Sequence, residues 1–167
     1  MRRMATSVAI VLMMTVAVPL LAIGQDVEGL VKDLKDPNPG IRSRAGMLLA
    51  KKGPNATAAV PALAKALTDQ DLNVRFYAAD ALKEIGAGAE AAVPALIKAL
   101  ETFPGGTPAL TGPSRYYADA RWVAADALGS IGIGAKEAVP ALTKTLSDAD
   151  PNVRSAAAAA LKRIHGN

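Results

Sequence analysis

Apolar side chains recur along this chain at two nested intervals, one of a helical turn and one of a 33-residue block. Val27, Val60, Val93 and Val139 each stand three residues ahead of a leucine, namely Leu30, Leu63, Leu96 and Leu142. Four residues further on come Leu34, Leu67, Leu100 and Leu146. An i, i+3, i+7 spacing places such side chains on one stripe of an α-helix. Lys32, Lys65, Lys98 and Lys144 fall on the opposite side. Pro61, Pro94 and Pro140 occupy the first turn, where a missing N–H is harmless.

A second helix follows in every block. Ile41, Val74, Ala120 and Val153 open it, each succeeded by an arginine: Arg42, Arg75, Arg121 and Arg154. Ala45, Ala78, Ala124 and Ala157 lie four residues on, and Leu49, Leu82, Leu128 and Leu161 lie eight on. Ile85, Ile131 and Ile164 close the stripe, and Gly53, Gly86 and Gly132 are expected to stop the helices as left-handed C-caps. A hairpin with one apolar face per helix cannot bury both faces alone, so consecutive hairpins must cover one another. The pattern therefore predicts an all-α chain, an α-solenoid of four helix hairpins over about residues 27–58, 59–91, 92–137 and 138–167. The third block is 13 residues longer, with a Gly- and Pro-rich inserted loop at 101–119 that cannot continue a helix. Lys52 and Arg44 in the first block, and the alanines between Ser155 and Ala160 in the last, read as capping features and favour a monomer.

Residues 1–24 follow another plan. Basic Arg2 and Arg3 precede an apolar run from Val8 to Ile23, and small Ala22 and Gly24 stand before Gln25. This predicts a signal peptide cut after Gly24, hence an exported chain, periplasmic or secreted, with a repeat domain from 25 to 167. The alternative is an uncleaved inner-membrane anchor over residues 5–23, since that stretch approaches the ~20 residues that span a bilayer. Only then would the membrane be a partner.

The segments Ala59-Val60-Pro61-Ala62-Leu63, Val74-Arg75 and Ala78-Ala79-Asp80-Ala81-Leu82, with their counterparts in other blocks, resemble HEAT repeats, specifically the short HEAT-like type named after phycobilisome lyase subunits. The resemblance covers about residues 27–165. It implies a structural ladder linking successive repeats, built from the turn acids Asp36, Asp69 and Asp148 and from Arg42, Arg75, Arg121 and Arg154. Block three departs by carrying an insertion where its turn acid should be. HEAT-like repeats serve very different proteins, so the resemblance speaks to fold more than to function. Deoxyhypusine hydroxylase, an iron enzyme, is similar in architecture, but its metal sites use His-Glu pairs that this chain lacks. Its oxidoreductase activity is therefore not expected here, and nothing in the sequence marks a pigment site for lyase activity.

Composition narrows the chemistry further. There is no cysteine, which removes disulfides, thiolate metal sites and cysteine nucleophiles. The only histidine, His165, stands where other blocks place their helix-stopping glycine, and it cannot assemble a catalytic triad or a metal cluster. Without Arg2 and Arg3 the formal charge falls from +4 to +2, 17 bases against 15 acids, which gives no support for nucleic-acid binding. No catalytic residue, metal or cofactor is expected. All six aromatic residues lie between positions 76 and 122: Phe76, Tyr77, Phe103, Tyr116, Tyr117 and Trp122. Phe76 and Trp122 share one repeat position, about 200° from the core stripe, and Asp80 and Asp126 follow one turn later on the same, exposed face. The expectation is a non-catalytic exported scaffold that binds a protein or peptide in a shallow groove of Phe76, Asp80, Trp122 and Asp126. Phe103, Tyr116 and Tyr117 of the insertion are further candidates. An enzyme-associated subunit, lyase-like or oxidoreductase-like, and a membrane-tethered assembly factor are the alternatives.

Overall fold

The computed structural model describes residues 26–102 and 120–166. Residues 1–24, expected to be a signal peptide or an anchor, and most of the inserted loop, with Phe103, Tyr116 and Tyr117, lie outside the described residues. Those described form eight α-helices and three 3-10 helices, with no strand among them. The α-helices are α1 Val27–Asp33, α2 Pro39–Lys52, α3 Val60–Ala66, α4 Leu72–Ile85, α5 Val93–Thr102, α6 Arg121–Ile131, α7 Val139–Thr145 and α8 Pro151–His165. They pair in order as four antiparallel hairpins, α1/α2 to α7/α8. The chain is an all-α solenoid. Helix α5 runs to Thr102, two residues into the stretch assigned from sequence to the loop.

Local chemistry fixes the hairpin turns. Asp36 accepts a hydrogen bond from the Asn38 amide at 2.8 Å, and Asn38 in turn caps α2 through the Gly40 amide. Asp69 and Asp71 repeat the arrangement ahead of α4, and Asp148 and Asp150 repeat it ahead of α8. Each D-x-(D/N) triplet thus bends the chain with its first residue and starts the second helix with its third, satisfying amides that no helical carbonyl reaches.

Apart from Ile41 and Leu146 at the two ends, which are exposed against expectation because no further hairpin covers them, the predicted stripes form one continuous core. Leu30, Leu49, Leu63, Leu82, Leu96, Leu128 and Leu142 have no exposed surface, and burying a leucine side chain contributes about 2–3 kcal/mol. Second helices run closely along one another, α2 against α4, α4 against α6 and α6 against α8, whereas the first helices meet only slightly. The stack therefore closes on the second-helix side, which forms the concave face. Close approach depends on small residues: a Cβ on Gly46 would stand 2.9 Å from that of Tyr77, and one on Gly129 would stand 2.8 Å from the Cα of Ala160.

The glycines after the second helices differ from expectation. Gly53, Gly86 and Gly132 have positive φ, but their ψ values lie near −131° to −134°, outside the left-handed helical region. They end one helix and launch a 3-10 helix: Gly53–Ala59, Gly86–Ala92 and Gly132–Ala138. Ala56, Ala59, Ala89, Ala92, Ala135 and Ala138 are wholly buried there, three residues apart as one 3-10 turn requires. The left-handed cap occurs once among the described residues, at Gly166.

Candidate functional site

Two long surfaces of the stack carry polar chemistry. The first is the turn edge. Nη1 of Arg42 donates to the carbonyls of Asp36 and Pro37 in its own turn, while Nε and Nη2 each reach the Asp69 carboxylate of the next repeat at 2.8 Å. Arg121 pairs likewise with Asp148 across the last junction. Arg75 and Arg154 donate to their own turn carbonyls, at Asp69 and Gln70 and at Asp148 and Ala149. Burial alone would push the Asp69 carboxyl up. The bonds from Arg42 and the Asp71 amide, with the positive charge of Arg42 and Arg75, outweigh it and hold the carboxyl below its ordinary value. The contacts of Arg42 and Arg121 lock the first hairpin to the second and the third to the fourth, and leave little for a ligand.

The second surface is the concave face. Phe76 and Trp122 are not the open side chains that a single helical wheel predicts; both are half-buried and packed against the core. The wheel omits the flanking second helices, which cover each helix from both sides. The rings of Phe76 and Trp122 meet with centroids 6.0 Å apart, and Phe76 meets Tyr77 edge-on at 5.3 Å. Asp80 is engaged by Lys83 at 2.7 Å, and Lys83 also reaches Glu84. Burial alone would lower the Lys83 ammonium, but the Asp80 and Glu84 partners leave it raised. Asp126 is held more loosely, 3.6 Å from a largely exposed Arg163.

Trp122 and Asp126 border one shallow depression of about 220 Å³, closed on the far side by Asn152, Ser155, Ala156 and Ala159 of α8. Phe76 and Asp80 belong to the same face but not to its lining. The α8 wall carries no aromatic or acidic signal in the sequence, and its one mark is that Ser155 holds in its repeat the position of Phe76 and Trp122. A larger cleft of about 620 Å³ at the 3-10 edge, beside Glu90 and Glu137, offers no aromatic surface. Among the described residues no three His, Cys, Asp or Glu side chains cluster around a common point that could hold a metal ion. His165 bonds the Leu161 carbonyl on the surface. No helix of the described residues is long and apolar enough to cross a membrane.

Comparison with known families matches HEAT repeats over residues 27–106 and 109–167, most of the chain. The chain belongs to the HEAT-repeat family. Among solved structures, this HEAT chain is similar to the complex of CpcE and CpcF of phycocyanin lyase from Nostoc, at 28% identity and a TM-score of 0.65, covering 84% of this chain and 53% of that one. An engineered protein matches at 28% identity and a TM-score of 0.59, over 83% of this chain and 37% of its own. A designed armadillo repeat protein in complex with the peptide (KR)4 shares the fold at 21% identity and a TM-score of 0.64, over 83% of this chain and 64% of its own. The HEAT chain thus spans between 37% and 64% of the length of these structures. No curated protein matches it.

Proposed function

We propose that this HEAT-repeat chain is a non-catalytic scaffold that holds a peptide or protein segment on its concave face, with a cationic side chain of the partner between Trp122 and Asp126. The observation that carries this reading is the depression shared by an aromatic ring and a carboxylate one helical turn apart. A ring face and a carboxylate together suit a lysine or arginine, through cation–π attraction and a charge-assisted hydrogen bond. Arg163, loosely set against Asp126, models that interaction within the molecule and is displaced by the incoming cation. The designed armadillo protein that shares this fold is itself in complex with a basic peptide.

The test is equilibrium binding of three short peptides, one rich in lysine and arginine, one rich in glutamate and one uncharged. The basic peptide binds alone, and Trp122→Ala and Asp126→Asn each weaken it about tenfold or more, as loss of an interface anchor does, with helicity preserved. Equal binding of all three peptides, or indifference to both substitutions, contradicts the reading. Export is part of the proposal: the exported protein begins at Gln25 and works in the periplasm or outside the cell. N-terminal sequencing that starts earlier supports the membrane-anchored alternative instead.

The likeness to the phycocyanin lyase complex favours a second reading, in which the chain is a non-catalytic subunit assembled with an enzyme. In that case a purified enzyme subunit, and not a short basic peptide, occupies the concave face.

A further inference from the structure

The two ends of the stack carry complementary halves of an internal junction. At the first junction, Arg42 is fixed by its own turn and offers Nε and Nη2 to Asp69. Arg154 is fixed by its own turn in the same way, through Nη1 to the Asp148 and Ala149 carbonyls at 2.7 and 2.9 Å. Among the described residues no carboxylate meets its remaining edge. Asp36, at the opposite end, accepts the Asn38 amide as Asp69 accepts that of Asp71, and among the described residues no arginine fork reaches it from outside the repeat.

The apolar positions tell the same story. Leu146 is 40% exposed, whereas its equivalents Leu34, Leu67 and Leu100 are at most 7% exposed because the next repeat covers them. Ile41 is 39% exposed, whereas its equivalents Val74, Ala120 and Val153 are at most 3% exposed because the preceding repeat covers them. One end therefore presents an aligned guanidinium beside a bare leucine, and the other a turn carboxylate beside a bare isoleucine. These are the pieces that meet between the first and second hairpins, where Arg42 grips Asp69, and between the third and fourth, where Arg121 grips Asp148.

We infer, against the monomer expected from capped ends, that the C-terminal face of one molecule docks on the N-terminal face of a second copy of this chain, Arg154 gripping the partner copy's carboxylate at position 36 and Leu146 covered by its first hairpin. Such a contact is heterologous and does not close on itself, so association proceeds past the dimer as concentration rises.

Sedimentation of the full-length chain over a concentration series tests this. The unaltered chain gains mass with concentration, and Arg154→Glu or Asp36→Arg alone weakens association by about tenfold or more, because like charges then face each other. Mixing the two variants restores association, since the intact Arg154 of one meets the intact Asp36 of the other and the two reversed charges also attract. Leu146→Asp, which leaves the turn hydrogen bonds in place, also weakens association and guards against a folding defect in the charge variants. A chain that stays monomeric throughout, or association that none of these substitutions alters, or a mixture no more associated than its components, overturns the inference.

Discussion

Along the turn edge, Arg42 and Arg121 hold equivalent positions and do the same thing, each gripping the acid of the following repeat. On the concave face, Ser43, Phe76, Trp122 and Ser155 also hold equivalent positions, yet they do different things. Ser43 bonds its own helix, Phe76 and Trp122 meet ring to ring, and Ser155 walls a depression. Recurrence marks what the stack needs at every junction. Departure from recurrence marks a position released from that need, and the departures gather in the two middle repeats, facing inward. In a repeat protein, the chemistry to look for is where the repeat is broken.

Substitutions break that comparison with graded force. Leu82→Ala has the largest effect, because the side chain is fully enclosed and its loss leaves a cavity; urea unfolding should show a loss of about 2–5 kcal/mol. Gly129→Val comes next, at about 1–3 kcal/mol from overpacking. Its Cβ would stand against the backbone of Ala160, which cannot turn aside. Asp69→Asn, on the ladder, costs about 1 kcal/mol near neutral pH and also changes the pH dependence. The native carboxyl is held below its ordinary 3.8, so its stabilisation is complete above the unfolded value and is lost as pH falls through the native one. Stability of the unaltered chain therefore drops more steeply below about pH 5 than that of the Asn variant. Asp126→Asn has the smallest effect on stability, within about 0.5 kcal/mol, while its effect on peptide binding is the largest of the four.

The α-helices were legible because leucine and valine stripes with a 3.6-residue period have one physical explanation, and the 33-residue recurrence then dictated stacking. The 3-10 helices leave only a faint trace in the sequence, the three-residue spacing of Ala56 and Ala59, Ala89 and Ala92, and Ala135 and Ala138. Alanine is common enough here that a short run of it carries little contrast. In the turn triplets Asp36-Pro37-Asn38, Asp69-Gln70-Asp71 and Asp148-Ala149-Asp150 the first acid recurs plainly, but the third member, which caps the helix, varies between Asn and Asp and gives a weaker signal. The candidate site was legible only in part. A helical wheel placed Trp122 and Asp126 on the second-helix face, but it treats a helix as isolated and so overstated the exposure of Phe76 and Trp122. It also could not supply α8 as the opposite wall, because which helix faces which across a groove is a matter of stacking geometry.

Trp122 is the only tryptophan in the chain, so its own emission reports on the depression it borders. Titrating the full-length protein with a lysine- and arginine-rich peptide should shift that emission saturably, with the shift weakened about tenfold or more in Asp126→Asn and unaffected in Asp69→Asn, whose carboxylate serves the stack. An emission unchanged by the peptide, or a shift that depends on the ladder acid as strongly as on Asp126, would contradict the division between architectural recurrence and recognising exception.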